Sequence, residues 1–193
     1  MRTRRAFLSG LFALILSGLF VAGIGWAKER NLPFPSYGSG AVEVRLYSDY
    51  FCPPCQKTEP HLEPLLKDLL KRKIIRLILV DFPMHEESTL YTRYFLYALK
   101  SRNDADYGLH VRSVLFNAAA GNDILTAKKI EELFRKNKIP YAVFDPKPVF
   151  ERFKALIKDD HVNRTPVCVI VKAGKKETLV GGMDIFTALK ALQ

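Results

Sequence analysis

Short apolar runs alternate with helical stripes along most of this chain, and their order predicts an α/β fold. The run Ala41–Phe51 begins by alternating, with Val42, Val44 and Leu46 set against Glu43 and Arg45, as a β-strand does. After it Leu62, Leu65, Leu66, Leu69 and Leu70 recur at helical spacing, which starts a helix at Cys52 and ends it among basic residues near Lys73. Ile74–Val80 is apolar except for Arg76 and reads as a strand buried on both faces, as in a parallel pair. From Pro83 to Thr165 there is little strand signal, and turn signals divide the stretch into four helices. These are Glu87–Ser101, Asp106–Ala119, a short helix capped by Thr126 and closed before Pro140, and a fourth opened by Asp145-Pro146. The stretch is rich in aromatic residues (Tyr91, Tyr94, Phe95, Tyr97, Phe116, Phe134, Phe150, Phe153), most of them expected in the core rather than in a peptide groove. Val167–Val171 then reads as a strand, Ala173–Lys176 as a turn and Glu177–Val180 as an antiparallel edge. Asp184 is expected to cap the last helix, with Ile185, Leu189 and Leu192 inward.

The N-terminus differs in kind. Arg2, Arg4 and Arg5 precede 22 uncharged residues, Ala6–Ala27, which is the layout of an export segment. The run fits an anchor helix of about 20 residues better than the core of about 7–15 in a removable signal. Gly25-Trp26-Ala27 nevertheless offers small residues for cleavage, and Thr3-Arg4-Arg5-Ala6-Phe7-Leu8 resembles a twin-arginine export signal. Every variant places the rest of the chain outside the cytoplasm. Lys28–Gly40 contains Pro33, Pro35, Ser36, Gly38, Ser39 and Gly40 without periodicity and reads as a linker. The expected map is 1–27 signal sequence or membrane anchor, 28–40 linker, and 41–193 one domain with helical material inserted at about 84–163.

Charge adds little. The formal net charge is +10, and without the three N-terminal arginines the chain holds 27 basic against 20 acidic residues. The charges are interspersed, as in Lys67-Asp68 and Lys175-Lys176-Glu177, and no nucleic-acid fingerprint accompanies them, so they are read as a solvated surface.

The chemistry concentrates in Cys52-Pro53-Pro54-Cys55, where strand gives way to helix. Unpaired N–H groups and a positive dipole at a helix start favour thiolate over thiol at Cys52. A second thiol one turn inward resolves the mixed disulfide that such a thiolate forms. A structural disulfide or half of a zinc site are the alternatives. Zinc would need two further ligands, and the remaining cysteine, Cys168, has no paired neighbour.

Four landmarks in order resemble the DsbA-like branch of the thioredoxin superfamily. Tyr47-Ser48-Asp49-Tyr50-Phe51-Cys52-Pro53-Pro54-Cys55 is similar to its active-site segment, and Pro60 matches the proline of its active-site helix. Asp81-Phe82-Pro83-Met84-His85 resembles the stretch after its next central strand, and Arg164-Thr165-Pro166-Val167 the loop whose cis-proline faces the cysteines. The resemblance spans about residues 41–193 and implies a thioredoxin fold with an inserted helical subdomain. It also implies Cys52 as nucleophile, Cys55 as resolving thiol, Pro53 and Pro54 as the active-site dipeptide, and Thr165 with Pro166 as the substrate-docking loop.

Two positions depart from the family. Leu46 stands where the family commonly has a buried acid beneath the second cysteine, and Asp49 is expected too near the surface to replace it. Water or Glu59 then remain to take the Cys55 proton. Cys168 follows Pro166 by two residues and is expected to be a buried, inert thiol rather than a third redox partner. The Pro-Pro dipeptide, with no histidine, points to a milder oxidant than Cys-Pro-His-Cys enzymes, or to a reductase.

The expected function is an extracytoplasmic thiol–disulfide oxidoreductase, an oxidase with reductase as the alternative. Its substrates are exported protein thiols and disulfides. The expected partner is a membrane redox protein, either a quinone-linked oxidase or a protein that delivers reductant. No cofactor, metal or nucleic acid is expected, and the chain is expected to be a monomer. Two competing readings are a copper(I) or zinc chaperone, with His61 as its nearest further ligand, and a membrane-tethered assembly factor using the helical insert as its contact surface.

Overall fold

Five strands and six helices form within residues 32–121 and 126–193, which the computed structural model describes. The export or anchor segment expected at 1–27, and residues 28–31 of the expected linker, lie outside the described residues. The strands are β1 (Ser36–Tyr37), β2 (Val42–Ser48), β3 (Ile75–Asp81), β4 (Val167–Lys172) and β5 (Lys175–Val180). The helices are α1 (Pro53–Lys71), α2 (Ser88–Ser101), α3 (Ala105–Ala120), α4 (Ala127–Lys136), α5 (Lys147–Asp159) and α6 (Gly182–Lys190).

One sheet carries the strands in the order β1-β3-β2-β4-β5. Only β2 and β3 run parallel, and α1 supplies the crossover that a parallel pair requires. Their carboxyl ends, Ser48 and Asp81, are register partners, so the β2–α1 and β3–α2 loops emerge side by side. Leu46 in β2 is opposed by Leu79 on one side and Cys168 on the other. The sheet is therefore apolar at Leu46.

Helix α1 starts where proline is favoured, with Pro53 in its first turn, and runs on through Pro60 and Pro64. It buries Cys55, Glu59, Leu62, Leu65, Leu66 and Leu69 along one stripe. All four helices between β3 and β4 appear where the spacing predicts them. Asp104 and Thr126 cap α3 and α4 by accepting the Tyr107 and Lys129 backbone N–H groups at 3.0 and 3.4 Å. Tyr91, Tyr94, Phe95, Phe116, Phe134 and Phe153 are buried, which makes most of the insert's aromatic side chains core. Asp160, at the end of α5, ties the insert to the sheet by accepting from Tyr47 at 2.5 Å, Arg45 at 2.9 Å and Lys176 at 2.8 Å.

Two expectations need correction. The described part of the linker, Leu32–Gly40, is integral to the domain: β1 pairs antiparallel with β3, Tyr37 is buried, and the Phe34 ring lies 5.8 Å from that of Phe153. A two-residue strand is too short to show period-two alternation, and only its partner reveals it. Asp184 does not cap α6, because Gly181 takes the cap at φ 93° and the helix begins at Gly182, leaving Asp184 in the first turn. A positive φ there is open to glycine at little cost, so the turn outranks the carboxylate. Gly182 also lets α6 lie close to α1, since a Cβ at that position would collide with the Thr58 side chain.

Candidate active site

Cys52 is the N-cap residue of α1, and Cys55 lies one turn inside the same helix. Three hydrogen bonds fix this turn: Cys52 N–H donates to Asp49 O at 3.2 Å, Gln56 N–H to Cys52 O at 3.0 Å, and the Gln56 side chain to Tyr50 O at 2.8 Å. Pro53 and Pro54 are exposed between two buried sulfurs. The Thr165–Pro166 peptide is cis, and the Cys52 thiol donates to the Thr165 carbonyl at 3.4 Å. Cys52, Cys55, Thr165 and Pro166 thus meet beside the carboxyl end of β2 and the amino end of β4, 113 positions apart in sequence between Cys52 and Thr165.

The two thiols are opposed in acidity. Hydrogen bonding from the Cys55 thiol, helped by the Thr165 side chain and the Cys55 backbone, outweighs burial and brings Cys52 down to about 6. The same thiol–thiol hydrogen bond, with burial, pushes Cys55 well above the ordinary range. All three cysteines are free thiols. Cys168 is fully buried, and burial pushes it up to about 12.

Asp49 is not near the surface as expected; it is 1% exposed and organises the adjoining loop. Its carboxylate accepts the N–H groups of Phe51 at 2.7 Å, Met84 at 2.5 Å and His85 at 3.2 Å, and the Ser88 hydroxyl at 2.8 Å. The His85 Nδ1 lies 3.0 Å from the same group. One carboxylate therefore joins the turn before Cys52 to the loop carrying Met84, whose sulfur lies 4.0 Å from the Thr165 hydroxyl.

Beneath the site lies a buried ionic network that the sequence reading missed. Arg112 of α3, completely buried, donates to Glu59 of α1 at 2.5 Å and to Asp81 of β3 at 3.1 Å, and also to Ser48 of β2. The Tyr50 hydroxyl donates to Asp81 at 3.2 Å. Burial raises Asp81 to about 6 against the opposing pull of Arg112. Burial also works against the Arg112 charge, but Glu59 and Asp81 outweigh it and hold the guanidinium ionised. Glu59 is four residues after Cys55 on the same helix face, one turn below it, and is committed to Arg112. The available signal was charge on an apolar stripe: Arg112 falls between Leu109 and Leu115 at helical spacing, and Glu59 between Cys55 and Leu62. His61, the metal-ligand candidate, is exposed in a separate cleft between α1 and α6. Among the described residues no group of three or more His, Cys, Asp or Glu is placed to hold a metal ion.

The family model described as thioredoxin matches residues 38–177. The chain belongs to the thioredoxin family. Among solved structures, it is similar to a periplasmic thioredoxin-like protein from Salmonella enterica serovar Typhimurium. That match has 20% identity and a TM-score of 0.63, covering 88% of this chain and 95% of that one. The thiol-disulfide exchange protein alpha-DsbA2 from Wolbachia pipientis is 16% identical at a TM-score of 0.63, covering 86% of this chain and 91% of that one. The catalytic domain of Proteus mirabilis ScsC is 19% identical at a TM-score of 0.62, covering 86% of this chain and 93% of that one. No curated protein matches the sequence. In this thioredoxin-family chain the helical insert reaches under the Cys52 turn through Arg112 and beside it through Asp49's hold on the Met84 loop.

Proposed function

We propose that this chain is a thiol–disulfide oxidoreductase that oxidises exported proteins outside the cytoplasm through the Cys52–Cys55 pair. The observation that carries this reading is the asymmetry of the two sulfurs, with Cys52 at about 6 beside a strongly raised Cys55. A thiolate stabilised in this way is a good leaving group and favours the reduced protein, which is the property of an oxidant.

A client thiolate attacks Cys52 Sγ of the disulfide, the S–S bond breaks, and Cys55 leaves and takes up a proton. A second client thiolate then attacks the client sulfur of the mixed disulfide and expels Cys52 as thiolate. The client loses two electrons and two protons. Both electrons remain on the two cysteines, one proton stays on Cys55, and the other enters solvent. Thr165 and Pro166 form the docking loop beside Cys52, and Pro53 and Pro54 shape the exposed turn. A membrane redox partner, a quinone-linked oxidase, removes the two electrons, and the chain works as a monomer without a bound cofactor. The uncharged segment Ala6–Ala27 exports or anchors the protein.

The test measures the reduction potential of the Cys52–Cys55 pair and the oxidation of a reduced, unfolded secretory protein by the disulfide form. A potential well above that of thioredoxin, about −270 mV, with stoichiometric client oxidation, is expected, and Cys55→Ser should trap a client on Cys52. A potential at or below that of thioredoxin would reverse the direction to reductase.

A further inference from the structure

A cleft of about 560 Å³ opens between the β3–α2 loop and α5, outside the thiol site. Phe82, Pro83, Phe150 and Ile157 give it apolar walls, and Lys154 and Lys158 stand at its rim. The carboxylate in its lining, Asp81, is committed inward to Arg112 and Tyr50. Lys154 pairs with Glu151 at 3.0 Å on the exposed helix surface, and the Lys158 ammonium has no ion pair among the described residues. His161, also in the lining, is exposed. The cleft therefore combines an apolar interior with unbalanced positive charge, in a volume that suits one large side chain and its neighbours.

Its position identifies the occupant. Both loops that bound it continue to residues at the thiol site: Pro83 precedes Met84, and Val162 leads to Thr165. Met84 touches Thr165, and Thr165 accepts the Cys52 thiol. With neighbouring Cα atoms about 3.8 Å apart, the path from Cys52 to the cleft is roughly 10–15 Å, or about three to five residues of extended chain.

We infer that this cleft is a specificity subsite for the client polypeptide, and that it takes an aromatic or branched apolar side chain next to an acidic residue. The selected residues lie about three to five positions from the client cysteine. This rests on the thiol–disulfide reading of Cys52 and deepens it: clients are chosen by the sequence flanking their cysteines as well as by thiol exposure.

The experiment follows disulfide exchange between the oxidised full chain and single-cysteine peptides by stopped flow. One peptide carries Phe-Asp four residues from the cysteine, a second Phe-Lys and a third Ser-Ser. The Phe-Asp peptide is expected to react at least about tenfold faster than the Ser-Ser peptide (roughly the effect of one well-buried side chain), with Phe-Lys between them. Lys158→Glu, a change at an exposed position, should reverse the order of Phe-Asp and Phe-Lys. The ratio between peptides is read within each protein, so a general change in thiol reactivity cancels. Equal rates for the three peptides, or a Phe-Asp preference unchanged by Lys158→Glu, would overturn the inference. Concentration-dependent dimerisation lost in Lys158→Glu would overturn it too, in favour of a second copy as occupant. Exchange of the wild-type disulfide with dithiothreitol reads the thiol chemistry separately: if that reaction fails, the oxidoreductase reading falls, whereas if only peptide selectivity fails, the subsite alone falls.

Discussion

Cys52 and Cys55 stand on the same helical turn, and the hydrogen bond between them lowers one and raises the other. Iodoacetamide should therefore modify the reduced protein at Cys52 with a midpoint near pH 6, while Cys55 and Cys168 stay silent through neutrality; mass spectrometry of the labelled peptides reads this directly. Equal labelling of Cys52 and Cys55 would remove the asymmetry. The linkage has a definite sign. The Cys52 value lies below the ordinary 9.0, so ionisation stabilises the reduced fold above that pH, and the contribution fades as pH falls through about 6. Cys168 packs against Leu46 with no exposure, so Cys168→Ala should cost about 1–2 kcal/mol through a lost core contact and leave the proposed client oxidation intact. Denaturant midpoints and a turnover assay test the two halves. The position of Cys52 at a helix start was legible from neighbours alone, because a proline-started helix after an alternating strand is local information. Asp49 was not, since four of the groups it binds come from residues 84–88, placed beside it by the parallel register of β2 and β3.

Among the elements, α3 makes the least expected contribution, a fully buried arginine that joins α1, β2 and β3. Two carboxylates share one guanidinium, and burial raises Asp81 from 3.8 to about 6. The folded state therefore binds this proton more tightly than the unfolded state. The Asp81 contribution to stability is fully present below about pH 4 and is lost as pH rises to about 6, by at most roughly 3 kcal/mol. Asp81→Asn should lack this fall, and urea unfolding of both proteins between pH 4 and 7 compares the slopes. Arg112→Met, which leaves two buried acids without a counter-charge, should destabilise the protein by about 3–5 kcal/mol at pH 7. A small loss would mean that water or rearrangement supplies the missing charge. The helices themselves followed from spacing and caps, whereas their docking depended on two acids, a serine and one base separated by up to 64 residues.

At the scale of the molecule, the first described residues complete the sheet. A chain truncated through Gly40 should have a lower thermal midpoint than one truncated through Asn31, because the longer deletion strips β1 and Tyr37 from the β3 edge. Equal midpoints for the two truncations, read by circular dichroism, would return Leu32–Gly40 to the status of linker. The sequence by itself determined the order of strands and helices from β2 onward, the helix start at Cys52 and the interruption of the core by four helices. Each of these is set by interactions within a few residues: side-chain period, turn chemistry and capping. Tertiary structure alone decided the β1 pairing, the burial of Asp49, the ionic network beneath the thiols and the cleft beside them. Those features require groups from distant segments to share one low-dielectric space. There the cost of an unpaired charge or an unpaired strand edge is imposed by what the fold brings next to it, and no local pattern records that neighbour.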